Sequence, residues 1–159
     1  MRISTIGVYG FDVETFHRAL ADAGVGLVVD VRQRRGVRGS EYSWANSQRL
    51  QAMLAGAGIR YEHRKELAPT TELRRLQYAE DDRRGVGKRN RAELAPEYAR
   101  RYVAEILDRV DLGEFVARLP EGELPALLCV ERDPEACHRS LITDRLAGEY
   151  GARVTHLRP

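Results

Sequence analysis

Short apolar runs alternate along the chain with longer stretches of helical period, and this alternation predicts a parallel sheet with helices on its faces. Ile3 to Tyr9 is a β-rich run closed by Gly10, and Asp12 stands where a helix cap belongs, ahead of Phe16, Leu20 and Ala23 on one helical face. Gly24 and Gly26 end that helix. Leu27 to Val31 is a second strand with Asp30 near its carboxyl end. An Arg/Gly-rich loop over 32–43 then leads to a helix over roughly 44–57 and a third strand from Ile59 to Glu62. From His63 to Leu119 the composition is charged and the period helical, with a turn at Gly85-Val86-Gly87 and an amphipathic helix from about Pro96 to Arg109. A strand from Leu124 to Glu131, a helix from about His138 to Tyr150 and a strand from Arg153 to Leu157 follow. The expectation is one α/β domain over 1–159, with a parallel or mostly parallel sheet of about five strands flanked by helices and a charged helical insertion at about 63–119 over the sheet's ligand edge.

In a parallel sheet the carboxyl ends of the strands share one edge, so Tyr9, Asp30, Arg32, Glu62, His63, Cys129 and Glu131 should converge there. Titratable groups gathered at such an edge are the usual mark of a site, because burial and neighbouring charge tune their proton affinities. A charge at the end of a strand as apolar as Leu27-Val28-Val29 is costly unless satisfied, and Asp30 capping a turn and pairing with an arginine is the plain alternative.

The segment Ala126 to Thr143, ALLCVERDPEACHRSLIT, reads as strand, polar loop and helix start. Cys137-His138-Arg139 at the helix start has three readings: an acidified thiol nucleophile, an anion site formed by Arg139 and the free helix amides, or a buried hydrophobe beside a polar cap. Neither cysteine begins a phosphatase loop, since the sixth residue after Cys129 is Glu135 and after Cys137 is Thr143. Gly85-Val86-Gly87-Lys88 is half of a Walker A, with Arg89 in place of Ser or Thr and Asp82 in place of the first glycine. Cys129, Cys137, His138 and His63 lack the paired spacing of structural zinc sites, and adjacent Cys137 and His138 do not readily turn to one ion, so neither metal nor cofactor is expected.

Apolar and charged fractions of 43% and 31% are those of a globular protein, and no apolar run approaches the roughly 20 residues of a membrane span. The N-terminus lacks a secretory pattern, so the cytoplasm is the expected compartment and the two cysteines are expected as thiols. A net charge of +2 argues little for nucleic acid. Its distribution says more: four arginines fall between Arg32 and Arg38, and RRGVGKRNR over 83–91 holds five basic residues and no acid. Arg34, Arg35, Arg38, Lys88, Arg89 and Arg91 could grip a phosphate backbone or form solvated loop faces.

The ordered set STIGVYG, LVVDVR, GIRYEHRKELAP and LLCVERDPEACHRSLI resembles the bacterial and archaeal domain-of-unknown-function family numbered 488, over nearly the whole chain. The resemblance implies a compact α/β domain with Asp30, Arg32, Cys129, Glu131, Cys137, His138 and Arg139 at the motif positions, and it implies no reaction. Members often follow the DVR motif with proline and Ser-Arg, whereas this chain has Gln33-Arg34-Arg35-Gly36, so no serine role passes to Ser40.

The functional expectation is a phosphate-bearing ligand, a nucleotide or nucleic-acid end, held at the carboxyl edge and subject to metal-independent hydrolase or transferase chemistry. Arg32, Arg139 and the helix amides would hold phosphate. Asp30 or Glu131 would be general base and His138 or His63 proton donor, with Tyr9 and Cys129 lining the ligand. The alternatives are a non-catalytic nucleic-acid-binding module and a thiol-dependent enzyme using Cys137.

Overall fold

A computed structural model describing residues 1–159 gathers the apolar runs into one sheet. Its strands are β1 (Arg2–Ile6), β2 (Val25–Asp30), β3 (Arg60–His63), β4 (Leu124–Leu128) and β5 (Arg153–Leu157), all parallel and ordered β3-β2-β4-β1-β5. Around it lie α1 (Val13–Ala23), α2 (Ser47–Gly56), α3 (Thr71–Arg84), α4 (Pro96–Tyr102), α5 (Leu112–Ala117) and α6 (His138–Tyr150). Asp12 caps α1 as expected, accepting from the Thr15 amide at 2.8 Å, and Gly24 ends it with a φ of 73° that favours glycine.

The two-residue period of the strands sorts their side chains into two cores. Ile6, Val28, Ala126 and Leu128 pack with Phe16 and Leu20 of α1 and Leu50 and Leu54 of α2. Leu27, Val29, Val31, Leu127 and Cys129 pack on the other face with Leu73, Tyr98, Tyr102, Phe115, Ile142 and Leu146, from α3 to α6. The chain leaving β1 and β2 therefore turns toward the first face, whereas the chain leaving β4 turns toward the second. Since β4 lies between β1 and β2, the carboxyl ends of these three strands bracket the topological switch at which open α/β sheets bind ligands. The insertion is helical as expected and supplies α3 to α5. No helix is long and apolar enough to cross a membrane.

Three boundaries differ from the sequence pattern. The helix from Pro96 does not run evenly to Arg109: α4 ends at Tyr102, and Val103–Leu107 forms one wider turn in which the Asp108 amide donates to the Val103 carbonyl at 2.9 Å, bringing Leu107 into the core. β1 stops at Ile6 rather than Tyr9, and β4 at Leu128 rather than Glu131, because the two chains cross just beyond the sheet. The Val8 and Tyr9 amides both donate to the Val130 carbonyl at 3.0 Å, and a Cβ on Gly7 would run into the Glu131 carbonyl oxygen. Gly7→Ala must push these backbones apart. It is expected to lower the unfolding free energy by about 1–3 kcal/mol in urea denaturation, as overpacking does; an unchanged midpoint would show the crossing to be loose.

Candidate functional site

Beyond β4 the chain runs Cys129-Val130-Glu131, turns through Pro134–Ala136 and enters α6. Cys137 is extended (φ −142°, ψ 146°), and His138 is the first helical residue. This change of backbone direction lets consecutive side chains bend to one point, contrary to the expectation for that pair. The ligand atoms of Cys129, Cys137 and His138 lie within 4.8 Å of one another, all buried, and His138 Nδ1 is 3.8 Å from each sulfur. His138 Nε2 is 2.9 Å from the Val31 carbonyl. A carbonyl has no hydrogen to give, so Nε2 donates and Nδ1 faces the thiols.

Cys129, Glu131 and His138 form one wall of a small cavity of about 40 Å³, with Arg32, Gln33 and Arg34 from the loop after β2. Pro69, α3 (Arg74, Gln77, Tyr78) and the following segment (Lys88, Arg91, Tyr98) supply the remainder. A larger recess of about 400 Å³ adjoins it, adding Tyr9, Gly36, Val37 and Arg38. Within the wall the Cys129 thiol donates to Glu131 Oε2 at 3.2 Å, and Arg91 donates to Glu131 Oε1 at 2.9 Å and to Asp81 at 2.7 Å. Burial opposes charge on Glu131, but Lys88, Arg91 and His138 outweigh it and hold the carboxyl far below the usual range. Burial also opposes charge on Lys88, where Glu131 in turn raises the ammonium's pKa. Of the two thiols, burial and the neighbouring Cys137 push Cys129 up. Burial works the same way on Cys137, yet the Cys129 hydrogen bond with the charges of His138 and Arg139 brings it below the usual thiol range.

The other expected residues fall in different places. Asp30 shares the edge but not the cavity: the strand period turns it to the α1–α2 side, where it accepts from Arg32 Nε at 2.9 Å, Arg32 Nη2 at 2.8 Å and the Tyr61 hydroxyl at 2.6 Å. It is fully buried and engaged, so the role of general base is corrected to that of a structural anchor. Arg32 reaches the cavity wall, but its guanidinium is held by Asp30 and by the Ala45 carbonyl at 2.9 Å. Arg139 is corrected likewise. It is buried beneath the loop and donates to the Glu131 and Arg132 carbonyls at 2.7 and 3.0 Å, bracing the backbone rather than facing a ligand. His63 Nε2 donates to the Arg32 carbonyl, 2.9 Å away, outside the cavity lining.

The basic loops divide. Arg34 and Arg38 are exposed at the rim, and Arg35 lies 3.3 Å from the Tyr61 hydroxyl. Arg89 pairs with Glu41 at 3.0 Å and lies over the rings of Tyr9 and Tyr42, whereas Lys88 turns inward over Tyr78. Arg91 is buried between two carboxylates and is not a nucleic-acid contact. Sequence reasoning missed Arg74, Gln77 and Tyr78. Their signal was a polar stripe at helical spacing, 74, 77, 78 and 81, on a helix that also carries buried Leu73.

A family model described as domain of unknown function DUF488 matches residues 12–146. The chain belongs to that family. No curated protein and no solved structure matches the chain. The family's description names no reaction, so the chemistry has to come from the side chains.

Removing Arg91 leaves Glu131 and Asp81 as buried carboxylates without their cation. Arg91→Ala is therefore expected to cost about 3–5 kcal/mol in chemical denaturation, whereas exposed Arg34→Ala should stay within about 0.5 kcal/mol. Equal losses would show that Arg91 does not anchor the wall.

Proposed function

We propose that this protein binds a phosphate-bearing ligand, a nucleotide or a nucleic-acid end, at the carboxyl edge of its sheet and acts on it as a hydrolase or transferase. The observation that carries this reading is a set of four cations without a carboxylate partner. Arg34, Arg38, Arg74 and Lys88 line the two adjoining hollows, and none takes part in an ion pair. Arg74 is aimed by neutral groups only, donating to Gln33 Oε1 at 2.8 Å and to the Tyr78 hydroxyl at 2.9 Å. Arg83 and Arg84 on Glu80 and Arg101 on Glu105 show the pairing these four lack; Arg2, Arg18, Arg75 and Arg153 are unpaired too but lie scattered and exposed, so what sets the four apart is that they share one hollow. A partly enclosed hollow that holds three arginines outside any ion pair, together with Lys88, against the single carboxylate of Glu131 favours an anion, and guanidinium groups match phosphate oxygens in pairs.

The reacting end of such a ligand would lie over Cys129, Glu131 and His138, where a thiol, a carboxylate and an imidazole meet. Tyr9 and Tyr78 line the adjoining recess, where a base or sugar would lie. The enclosed shape, with Lys88 turned inward and Arg91 engaged by protein, favours a small ligand or a chain end over a gripped duplex.

Calorimetric titration with inorganic phosphate, a mononucleotide and an oligonucleotide tests the reading. Binding of phosphate and mononucleotide is expected, and Arg34→Ala, Arg74→Ala or Lys88→Ala should each weaken it roughly tenfold or more, as loss of a hydrogen bond to a charged group does. Failure of both small ligands to bind at low salt would overturn it. If only the oligonucleotide binds, with a log–log salt slope of about −0.7 to −0.9 per phosphate, the non-catalytic nucleic-acid module replaces it.

A further inference from the structure

We infer that Cys129, Cys137 and His138 form a binding site for a thiophilic divalent cation of the zinc class, with a fourth coordination position open to the cavity. Three donor atoms of the soft and borderline type already lie within 4.8 Å of one another, and His138 Nδ1 is 3.8 Å from both sulfurs. For a tetrahedral ion with the usual zinc–sulfur and zinc–nitrogen bonds, the sulfur–nitrogen separation is about 3.5 Å. Both sulfur–nitrogen distances therefore need only a few tenths of an ångström of closure.

The surroundings fit that role. The distal nitrogen of His138 donates to the Val31 carbonyl at 2.9 Å, the outer hydrogen bond that fixes ring and tautomer in metal-ligating histidines. The Arg139 amide lies 3.5 Å from Cys137 Sγ and donates to it, as backbone amides do to ligating sulfur. Cys129 and His138 line the cavity while Cys137 does not, so the uncovered side of the triad is the cavity side. Three protein ligands and an open position distinguish catalytic from structural zinc. Binding sends the protons of both thiols to solvent and leaves neutral imidazole as third donor, so two thiolates balance the ion's charge. Glu131, Arg91 and Lys88 remain around it as a separate set, with Glu131 Oε2 3.2 Å from Cys129 Sγ.

The test uses the full chain, reduced and stripped with chelator, titrated with cobalt(II). One equivalent is expected to saturate a near-ultraviolet thiolate-to-cobalt charge-transfer band together with intense visible bands of a four-coordinate ion, and zinc should bleach both by displacement. Cys129→Ser and His138→Gln should weaken cobalt binding beyond the roughly 10–100-fold typical of outer-shell changes, with circular dichroism confirming the fold. The inference is overturned if the reduced wild-type protein gives no charge-transfer band at stoichiometric cobalt, an outcome that needs no variant to fold. A folded Cys129→Ser protein with the band and affinity unchanged would overturn it too. Arg34→Ala and Arg74→Ala should keep the cobalt spectrum while losing phosphate binding, so the failure of this site and the failure of the anion reading are separable.

Discussion

The buried guanidinium of Arg91 is the joint on which the site depends. It donates to Asp81 on α3 and to Glu131 beyond β4, and its Nε and Nη2 both lie 3.1 Å from the Ala136 carbonyl, so one side chain ties the helical insertion to the sheet edge and to the turn before α6. Two carboxylates this deep would be costly alone; Arg91 hydrogen-bonds both, Lys88 adds a second positive charge beside Glu131, and the network is tolerable only when complete. The cavity exists because α3 is held at this distance. Gln77 extends the tie, donating to Asp81 and accepting from the Ala95 amide at 2.9 Å each.

A second constraint sets the wall itself. The crossing of Gly7 over Glu131 admits no side chain, and beneath it Arg139 supports the Glu131 and Arg132 carbonyls. With the backbone fixed on both sides of Glu131, the positions of Cys129 and of the α6 start follow, and so does the approach of two thiols to one imidazole. On the opposite face Arg32 performs the same service with Asp30, Ala45 and Tyr61, stiffening the loop that carries Arg34. Arg32, Arg91 and Arg139, with buried partners, build the frame, while Arg34, Arg38 and Arg74, outside any ion pair, face the hollow.

Much of this was legible in the chain. Asp12 and Gly24 announced the first helix by capping chemistry that is local in sequence, and Leu27-Val28-Val29 and Ala126-Leu127-Leu128 announced buried strands by composition. The shared edge of Arg32, Cys129, Glu131 and His138 followed from parallel strands alone. What sequence could not supply was the face on which each side chain falls once a strand ends. Asp30 and Cys129 sit at neighbouring strand ends, yet the two-residue period sends them to opposite sides of the sheet. Arg91 and Arg89 are two positions apart in one basic run, and only the tertiary placement of Glu131 decides that the first is buried and the second exposed. The convergence of Cys137 and His138 likewise rests on a change of backbone conformation between adjacent residues, which leaves no mark in their spacing.

The division between closed and open groups also explains why the site lies between β2 and β4 rather than elsewhere along the edge. The loop after β2 departs toward α2 and the loop after β4 toward α6, so neither covers the gap between them, and a helix from the insertion is free to roof it. A roof made of α3 brings polar residues at every turn, because its outer stripe would otherwise be solvated: Arg74, Gln77, Tyr78 and Asp81. Two of these, Gln77 and Asp81, complete the buried network; Arg74 and Tyr78 hydrogen-bond to each other and face the hollow. The same helix thus fastens the cavity with its carboxylate and charges it with its guanidinium, which is how a frame dense in neutralised pairs comes to enclose a space left positive.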